Sequence, residues 1–222
     1  MSVAENLKDI RSGLHPGVEL VAVSKFHPCE KLKEAYDAGQ RIFGESRVQE
    51  LCGKQSTLPD DIEWHFIGHL QTNKVKYIAP FISLIHAVDS LRLIEEIDRQ
   101  AKKCQRVIDC LLELHIAQEE TKFGLTPEQC IRLLAEGKWR EYGNVRICGL
   151  MCMASNTPHE NIVRKEFEKA ESLFNEIKRD FFNDAEYFCI KSWGMSHDYA
   201  IAQDCGSNMV RIGTAICGER EY

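Results

Sequence analysis

The sequence predicts a single α/β domain, covering residues 1–222, in which eight parallel strands close into a (β/α)8 TIM barrel. Three observations support this fold class. Short β-branched or apolar runs alternate with longer segments of helical period along the whole chain, these runs number eight, and 222 residues suit one compact barrel. No linker rich in Pro, Gly or Ser divides the chain. The same alternation also permits an open, doubly wound sheet, which is the alternative.

The predicted strands cover residues 18–24, 41–43, 62–67, 83–88, 107–116, 145–151, 187–190 and 208–212. Helical segments are predicted at 29–38, 47–55, 74–79, 91–104, 127–136, 161–182 and 197–204. Apolar residues within 91–101 recur at spacings of three and four, as one buried helix face requires. Ser90 and the pair Thr126-Pro127 are typical helix starts. Units of this kind imply parallel strands joined by right-handed crossovers.

Composition and charge exclude several classes of partner. The formal net charge of −6 gives no general field that attracts nucleic acid. Residues 1–11 carry charges and no long apolar run, so we expect neither a secretory signal nor a membrane span, and a cytoplasmic protein. The ten cysteines include no C-x-x-C pair, and we expect free, mostly buried thiols.

The first candidate functional residue is Lys25, which ends the first predicted strand. Working residues of α/β barrels lie at the C-terminal ends of strands. A low dielectric in the barrel mouth favours the neutral amine, which is the nucleophile that forms a Schiff base. A solvated or salt-bridged lysine is the alternative interpretation.

A candidate phosphate site lies at the other end of the chain. The segment VRIGT closes the eighth strand and the segment SWGMS follows the seventh, so the two are neighbours in a closed barrel. Gly213 lets a backbone N–H approach a ligand closely, while Thr214, Ser192 and Ser196 offer hydroxyls, which together suit a phosphate. Alternatively, Ser196 caps the helix that follows it.

These segments, together with VAVSK, FGES, WHFIGHLQTNK and GLMCM, give the whole chain a resemblance to the YggS/PROSC family of pyridoxal phosphate homeostasis proteins. The resemblance implies a barrel like the N-terminal domain of alanine racemase, with Lys25 forming a Schiff base to C4′ of pyridoxal 5′-phosphate. It also implies that Arg211 faces the pyridine nitrogen. The phosphate would be held by Ser192, Ser196, Gly213 and Thr214, with a backbone contact from Met195.

Arg211 has a chemical consequence in this arrangement. A guanidinium stays charged and donates hydrogen bonds, so the pyridine nitrogen that it faces stays unprotonated and the ring is a weaker electron sink. A structural ion pair at the strand end is the alternative. We expect Arg211→Ala to weaken cofactor retention without loss of the fold.

The chain departs from the pattern of the proteins that it resembles at two places. The family often has asparagine after Phe-Gly-Glu, where this chain has Ser46, whose hydroxyl is the candidate contact near the ring hydroxyl of the cofactor. Alanine racemase builds a dimer with an added β domain and uses a tyrosine from the partner subunit. This sequence ends at Tyr222 without such a domain, so we expect a monomer.

A racemase needs a second acid or base on the opposite face of the substrate. His69 and His86 are candidates, and each is alternatively a hydrogen-bonded barrel residue. Cys152 and Cys217 are interpreted as buried thiols. The spacing of His65 and His69 permits a shared metal, but no cysteine pair nearby supplies further ligands, so we expect no metal site.

The expected function is therefore that of a carrier or buffer of pyridoxal phosphate in vitamin B6 homeostasis, without robust catalysis. PLP-dependent apo-enzymes are the expected recipients, and neither nucleic acid nor a membrane is an expected partner. An amino-acid racemase or a related fold-type III enzyme is one alternative. A barrel enzyme that acts on a phosphorylated metabolite without this cofactor is another.

Overall fold

A computed structural model of the chain describes residues 2–118 and 123–218. In this part of the chain, eight parallel strands pair in sequence order, and the eighth pairs with the first to close a barrel. The strands are β1 Glu19–Val23, β2 Ile42–Glu45, β3 Glu63–Phe66, β4 Leu84–Val88, β5 Ile108–Leu114, β6 Val145–Cys152, β7 Ile190–Ser192 and β8 Met209–Ile212. The closed barrel confirms the predicted fold class and excludes the open sheet.

Helices alternate with the strands and cover the outside of the barrel. They are α1 Val3–Ser12, α2 Cys29–Asp37, α3 Val48–Gln55, α4 Val75–Ile78, α5 Leu91–Lys103, α6 Pro127–Ala135, α7 Glu160–Phe181, α8 Tyr199–Asp204 and α9 Thr214–Cys217. The hydroxyls of Ser90 and Thr126 accept the backbone N–H of Leu93 and Gln129, which confirms both predicted helix starts. The described residues include no helix that is both long and apolar enough to cross a membrane.

The core has two layers because side chains alternate between the two faces of each strand. The larger layer lies between the strands and the helices and contains Phe43, Phe66 and Phe167. A smaller cluster fills the inside of the barrel, with Val21, Leu84, Leu111, Cys148, Met151 and Met209. Polar side chains inside the barrel therefore occupy the inward-facing positions that this apolar cluster does not fill.

The seventh strand was predicted at 187–190 but lies at Ile190–Ser192, so its predicted bounds were wrong. Phe188 is apolar for another reason: its ring stacks on Phe182 with the centroids 4.2 Å apart, and on Phe174 with the centroids 5.0 Å apart. The aromatic signal thus reflects packing against the end of α7.

Candidate functional site

Lys25 is the second residue after β1. Val21 belongs to the inner cluster, and Val23 faces the turn after β8, where a Cβ built on Gly213 would lie 3.2 Å from Val23 Cβ. Ser24 extends the β1–β2 ladder by one hydrogen bond. Continued alternation predicts that Lys25 lies above Val21 and Val23, at the C-terminal mouth of the barrel. Lys25 is partly exposed.

The turns after β7 and β8 meet at Ser196 and Gly213. The Gly213 N–H donates to Ser196 Oγ at 3.3 Å, and Thr214, which is exposed, begins α9. A Cβ on Gly213 would lie 3.1 Å from the Val23 carbonyl oxygen, so glycine lets this turn lie directly against the end of β1. The structure thus brings together the predicted phosphate-binding turn and the strand end that carries Lys25.

Ser196 and Met195 have different surroundings. Helix α8 has Asp198 at its N-cap, without a side-chain cap bond, so Ser196 is not the helix cap that the alternative interpretation required. The Met195 N–H already donates to Asp198 Oδ1 at 2.6 Å. The backbone contact from Met195 to a phosphate stays a prediction, because this carboxylate uses the same N–H.

Ser46 lies just beyond β2, on the same side of the strand as Gly44, whose position faces Val21 inside the barrel. Gly68 packs directly on Ser46, since a Cβ there would lie 2.6 Å from the Ser46 carbonyl oxygen. Ser46 is partly exposed at the mouth. Its contact with the ring hydroxyl of a cofactor stays a prediction.

Arg211 is 4% exposed and ties three strands together. Its Nη1 donates to the carbonyl oxygen and to Oγ of Ser192, both at 2.6 Å, and its Nη2 donates to the Cys152 carbonyl oxygen at 2.9 Å. No carboxylate of the described residues lies within ion-pair distance of its guanidinium, which argues against the structural ion pair. The three bonds leave Nε–H and the second Nη2–H as the remaining donors.

This burial contradicts one expectation from the sequence. Arg211 was expected to be replaceable without loss of the fold, as a side chain at the rim of the mouth. It instead fills the barrel interior and satisfies backbone carbonyls of β6 and β7, so Arg211→Ala would leave buried acceptors unpaired as well as remove the cofactor contact.

Ser192 belongs to a buried polar chain that runs from Arg211 across the barrel. His86 Nδ1 lies 3.0 Å from Ser192 Oγ, and His86 Nε2 lies 3.0 Å from His65 Nδ1. Burial lowers the pKa of His65 to about 3 and the pKa of His86 well below its ordinary value, so both rings are neutral at physiological pH. His86 is thus the hydrogen-bonded barrel residue of the alternative interpretation. The Ser192 contact with a phosphate stays a prediction.

His69 lies apart from His65, at the rim of the mouth. Its Nδ1 is 3.5 Å from Asp89 Oδ2, and its ring stacks on Phe123 with the centroids 4.3 Å apart. The two histidines therefore do not face a common point. Within residues 2–118 and 123–218, no three His, Cys, Asp or Glu side chains gather as metal ligands would.

Sequence reasoning missed Glu113, a buried carboxyl group on β5. Glu113 is 4% exposed, and its Oε2 has no hydrogen-bond partner among the described residues. Burial, reinforced by the charge of Asp89 and opposed by Arg211, raises the pKa of Glu113 to about 7. A glutamate inside the apolar run CLLELHI was a visible signal of a buried charge.

Sequence reasoning also missed a buried ion cluster beside Lys25. Lys54 of α3 is 5% exposed and Glu45 at the end of β2 is 0% exposed. Lys54 Nζ lies 2.6 Å from Glu45 Oε1 and 2.7 Å from Glu50 Oε1. Burial raises the pKa of Glu45, which the ion pair with Lys54 opposes. The spacing of Glu50 and Lys54 at i,i+4 was a signal of a helical ion pair but not of burial.

Comparisons with known proteins agree with this architecture. The alanine racemase N-terminal domain family matches residues 1–221. The pyridoxal phosphate homeostasis protein of Aquifex aeolicus is 40% identical over 92% of this chain and 88% of its own length. The protein of the same name from Pasteurella multocida is 33% identical over 100% of this chain and 99% of its own length.

Solved structures give the same result. PipY of Synechococcus elongatus, solved with PLP bound, superposes with a TM-score of 0.87 at 35% identity, over 98% of this chain and 100% of PipY. Alanine racemase of Bartonella henselae shares the fold with a TM-score of 0.71 at 16% identity, over 99% of this chain and 60% of the racemase. The chain therefore belongs to the alanine racemase N-terminal domain family, and within it to the pyridoxal phosphate homeostasis proteins.

Proposed function

We propose that this chain holds pyridoxal 5′-phosphate on Lys25 and acts as a carrier or buffer of that cofactor in vitamin B6 homeostasis. The observation that carries the proposal is the meeting of the β1 end with the Ser196–Gly213 turn pair at the barrel mouth. In this proposal the Lys25 amine and the phosphate donors of that turn pair lie side by side. Relatives that share the chain over nearly its whole length are named for this role, and PipY was solved with PLP bound.

Each residue has a distinct task in this proposal. Pyridoxal phosphate supplies an aldehyde that condenses reversibly with a primary amine. Lys25 provides the amine, and Ser196, Gly213 and Thr214 donate hydrogen bonds to the phosphate. Arg211 donates to the pyridine nitrogen through one of its remaining N–H groups. Ser192 holds the guanidinium of Arg211 in place through its hydroxyl and carbonyl oxygens. Ser192 and Met195 are further phosphate contacts in this proposal.

Carrying suits this site better than catalysis. Arg211 keeps its positive charge and its protons beside the ring, so the ring nitrogen gains no proton to strengthen electron withdrawal. His86, a candidate second acid or base, sits in the buried hydrogen-bonded chain and stays neutral. Both features disfavour repeated removal of a substrate α-proton.

The location and partners follow from the same proposal. We infer a cytoplasmic monomer that passes the cofactor to PLP-dependent apo-enzymes. The large exposed apolar side chains of the described residues are Tyr77, Val107, Phe123 and Tyr187. Tyr77 lies on α4 and the other three lie in separate loops, an arrangement unlike the broad apolar face that stable dimers bury.

Replacement of Lys25 tests the binding mode. Purified protein mixed with pyridoxal phosphate should show an absorbance band at roughly 410–430 nm, as expected for a lysine-bound cofactor. Lys25→Ala should abolish the band, and Lys33→Ala, which removes an exposed lysine of α2, should keep it. Borohydride reduction and peptide mapping should place the adduct on Lys25. A band that survives in Lys25→Ala would refute the proposal.

Deuterium exchange separates a carrier from a racemase. The cofactor-loaded protein is incubated with L-amino acids in deuterium oxide, and loss of the α-proton signal is followed by NMR. We expect exchange far slower than the turnover of about 1–10³ s⁻¹ that is typical of enzymes. Exchange at tens per second would contradict the carrier function and indicate a racemase.

A further inference from the structure

The buried ion cluster of Lys54, Glu45 and Glu50 is not explained by stability alone. Removing charged groups from water is unfavourable, and the attraction between buried partners does little more than offset that cost. Lys54 and Glu45 are nevertheless almost completely enclosed, at 5% and 0% exposure. The contacts of the cluster with other parts of the chain therefore indicate its role.

The cluster binds the backbone on both sides of Lys25. Lys54 Nζ donates to the Ser24 carbonyl oxygen at 2.7 Å, directly before Lys25. The Phe26 N–H, directly after Lys25, donates to Glu50 Oε1 at 2.6 Å. The same Glu50 oxygen accepts from Lys54 at 2.7 Å. One ammonium group and one carboxylate thus hold both neighbours of Lys25.

A third contact strengthens the hold on the residue before Lys25. Ser24 Oγ donates to Glu45 Oε1 at 2.6 Å, the same oxygen that Lys54 approaches. Ser24 is thus held through its carbonyl group by Lys54 and through its hydroxyl by Glu45. The end of β1 is fixed to the end of β2 and to α3 at this point.

The residue after Lys25 has a backbone conformation that needs such support. Phe26 has φ of 68°, in the left-handed region that a bulky residue adopts only with backbone strain. Its ring lies under the Arg47 guanidinium, 4.5 Å from the centroid, and Glu50 holds its N–H. A turn of this kind persists when surrounding contacts fix it, and here it fixes the direction in which Lys25 leaves the backbone.

We propose that Lys54, acting with Glu45 and Glu50, is a positioning residue that fixes the Lys25 backbone so that the Lys25 amine meets the aldehyde carbon while the Ser196–Gly213 turn pair holds the phosphate. This inference rests on the proposed function. Lys54 acts through the Ser24 carbonyl group and not on the cofactor itself. Displacement of a reacting group by about 1 Å can cost as much as a hundredfold in rate.

The proposal predicts a split between two ligands. Pyridoxine 5′-phosphate has the ring and the phosphate but no aldehyde, so its binding reports the cradle without the amine. Lys54→Met keeps most of the side-chain volume and removes the ammonium group. It should weaken covalent capture of pyridoxal phosphate about tenfold or more, and change the affinity for pyridoxine 5′-phosphate by less than about twofold.

Lys178 provides a matched control. Its Nζ donates to the carbonyl oxygens of Ala185 and Phe188, at 2.6 and 2.8 Å, so it also ties two backbone carbonyl groups, but in the loop before β7. Lys178→Met removes a comparable backbone tie away from Lys25. It should leave capture and pyridoxine 5′-phosphate binding at the parent values.

A second pair of variants covers the case in which Lys54→Met does not fold. Glu50 is less buried, at 21% side-chain exposure. Glu50→Ala removes the acceptor of the Phe26 N–H, and Glu50→Gln keeps an oxygen at the same position. Glu50→Ala should therefore lower capture about tenfold, and Glu50→Gln should restore most of it. In cofactor-free protein, the Phe26 amide should exchange with deuterium faster in Glu50→Ala than in Glu50→Gln.

The outcomes separate the two proposals. An adduct on Lys25 in the parent protein, combined with unchanged capture in Lys54→Met and Glu50→Ala, would overturn the positioning role alone. Equal losses for both ligands would show that Lys54 only supports the fold. No adduct on Lys25 in the parent would overturn the proposed function and, with it, the role in capture, while the amide exchange would still show whether the cluster holds the backbone.

Discussion

At the scale of single residues, buried ionisable groups set the properties of the barrel interior. His65 and His86 are neutral because burial lowers the pKa of both rings. Glu113 is the opposite case, since burial raises the pKa of its carboxyl group to about 7. Alternation patterns predict that a strand position faces inward, but not whether a charge there finds a partner. The sequence therefore predicted Lys25 and Arg211 as site residues and missed Glu113 and Lys54.

Glu113 makes stability depend on pH. A carboxyl group with a raised folded-state pKa favours the folded state when protonated, so the free energy of unfolding should fall as pH rises from about 4.5 to about 7. The loss would be up to about 3 kcal/mol. Glu113→Gln should make this slope clearly smaller in urea unfolding measured at several pH values. Glu186→Gln, at an exposed position, serves as the control and should keep the slope.

At the scale of elements, the barrel is held unevenly around its circumference. The β5–β6 ladder runs from Ile108 to Leu114, whereas β7 and β8 share the single register pair Ser192 and Met209. Hydrogen bonds from a side chain to the backbone join this region where ladder bonds between β7 and β8 are few. Ser207 Oγ lies 2.7 Å from the Trp193 carbonyl oxygen and 3.4 Å from its backbone nitrogen.

Ser207→Ala tests this substitute for a ladder. Ser207 is 3% exposed, so its loss leaves buried backbone groups of Trp193 unpaired and should cost about 1–3 kcal/mol of unfolding free energy. The Trp193 amide should also exchange faster with deuterium. Ser56→Ala removes an exposed hydroxyl that donates to the Gly53 carbonyl oxygen, and it should change stability by less than about 0.5 kcal/mol. Equal effects of the two changes would contradict this account.

The seam between β7 and β8 shows what periodicity predicts and what it does not. Alternating apolar runs predicted eight strands, and all eight exist. The bounds of β7 were wrong because Phe188 packs under α7, and an apolar residue under a helix gives the same signal as one in a strand. Bonds from side chain to backbone, such as those of Ser207, leave no period in the sequence at all.

At the scale of the whole molecule, barrel closure creates the site. Lys25 and Gly213 lie near opposite ends of the chain, and the β1–β8 pairing from Glu19 and Met209 to Ala22 and Ile212 brings them together. This meeting was predictable from the sequence only through the inference of closure. The resemblance to known proteins then identified which strand-end residues to compare.

Closure also predicts cooperative unfolding of one domain covering residues 1–222. Separating any two neighbouring strands removes ladder bonds from both and exposes both core layers. Partly unfolded states therefore have little stability. Unfolding in urea should therefore give coincident transitions by far-UV circular dichroism and by fluorescence of Trp64, Trp139 and Trp193. Transitions that separate by probe would indicate independent units and would contradict a single domain.

The buried thiols near the mouth have a consequence for selectivity. Burial raises the pKa of Cys152 and raises the pKa of Cys217 to about 11, so both sulfur atoms keep their protons at physiological pH. Thiolates, and not thiols, attack electrophiles. The two thiols are therefore poor nucleophiles. A reactive carbonyl compound that enters the mouth can react with an amine there without competition from these two cysteines.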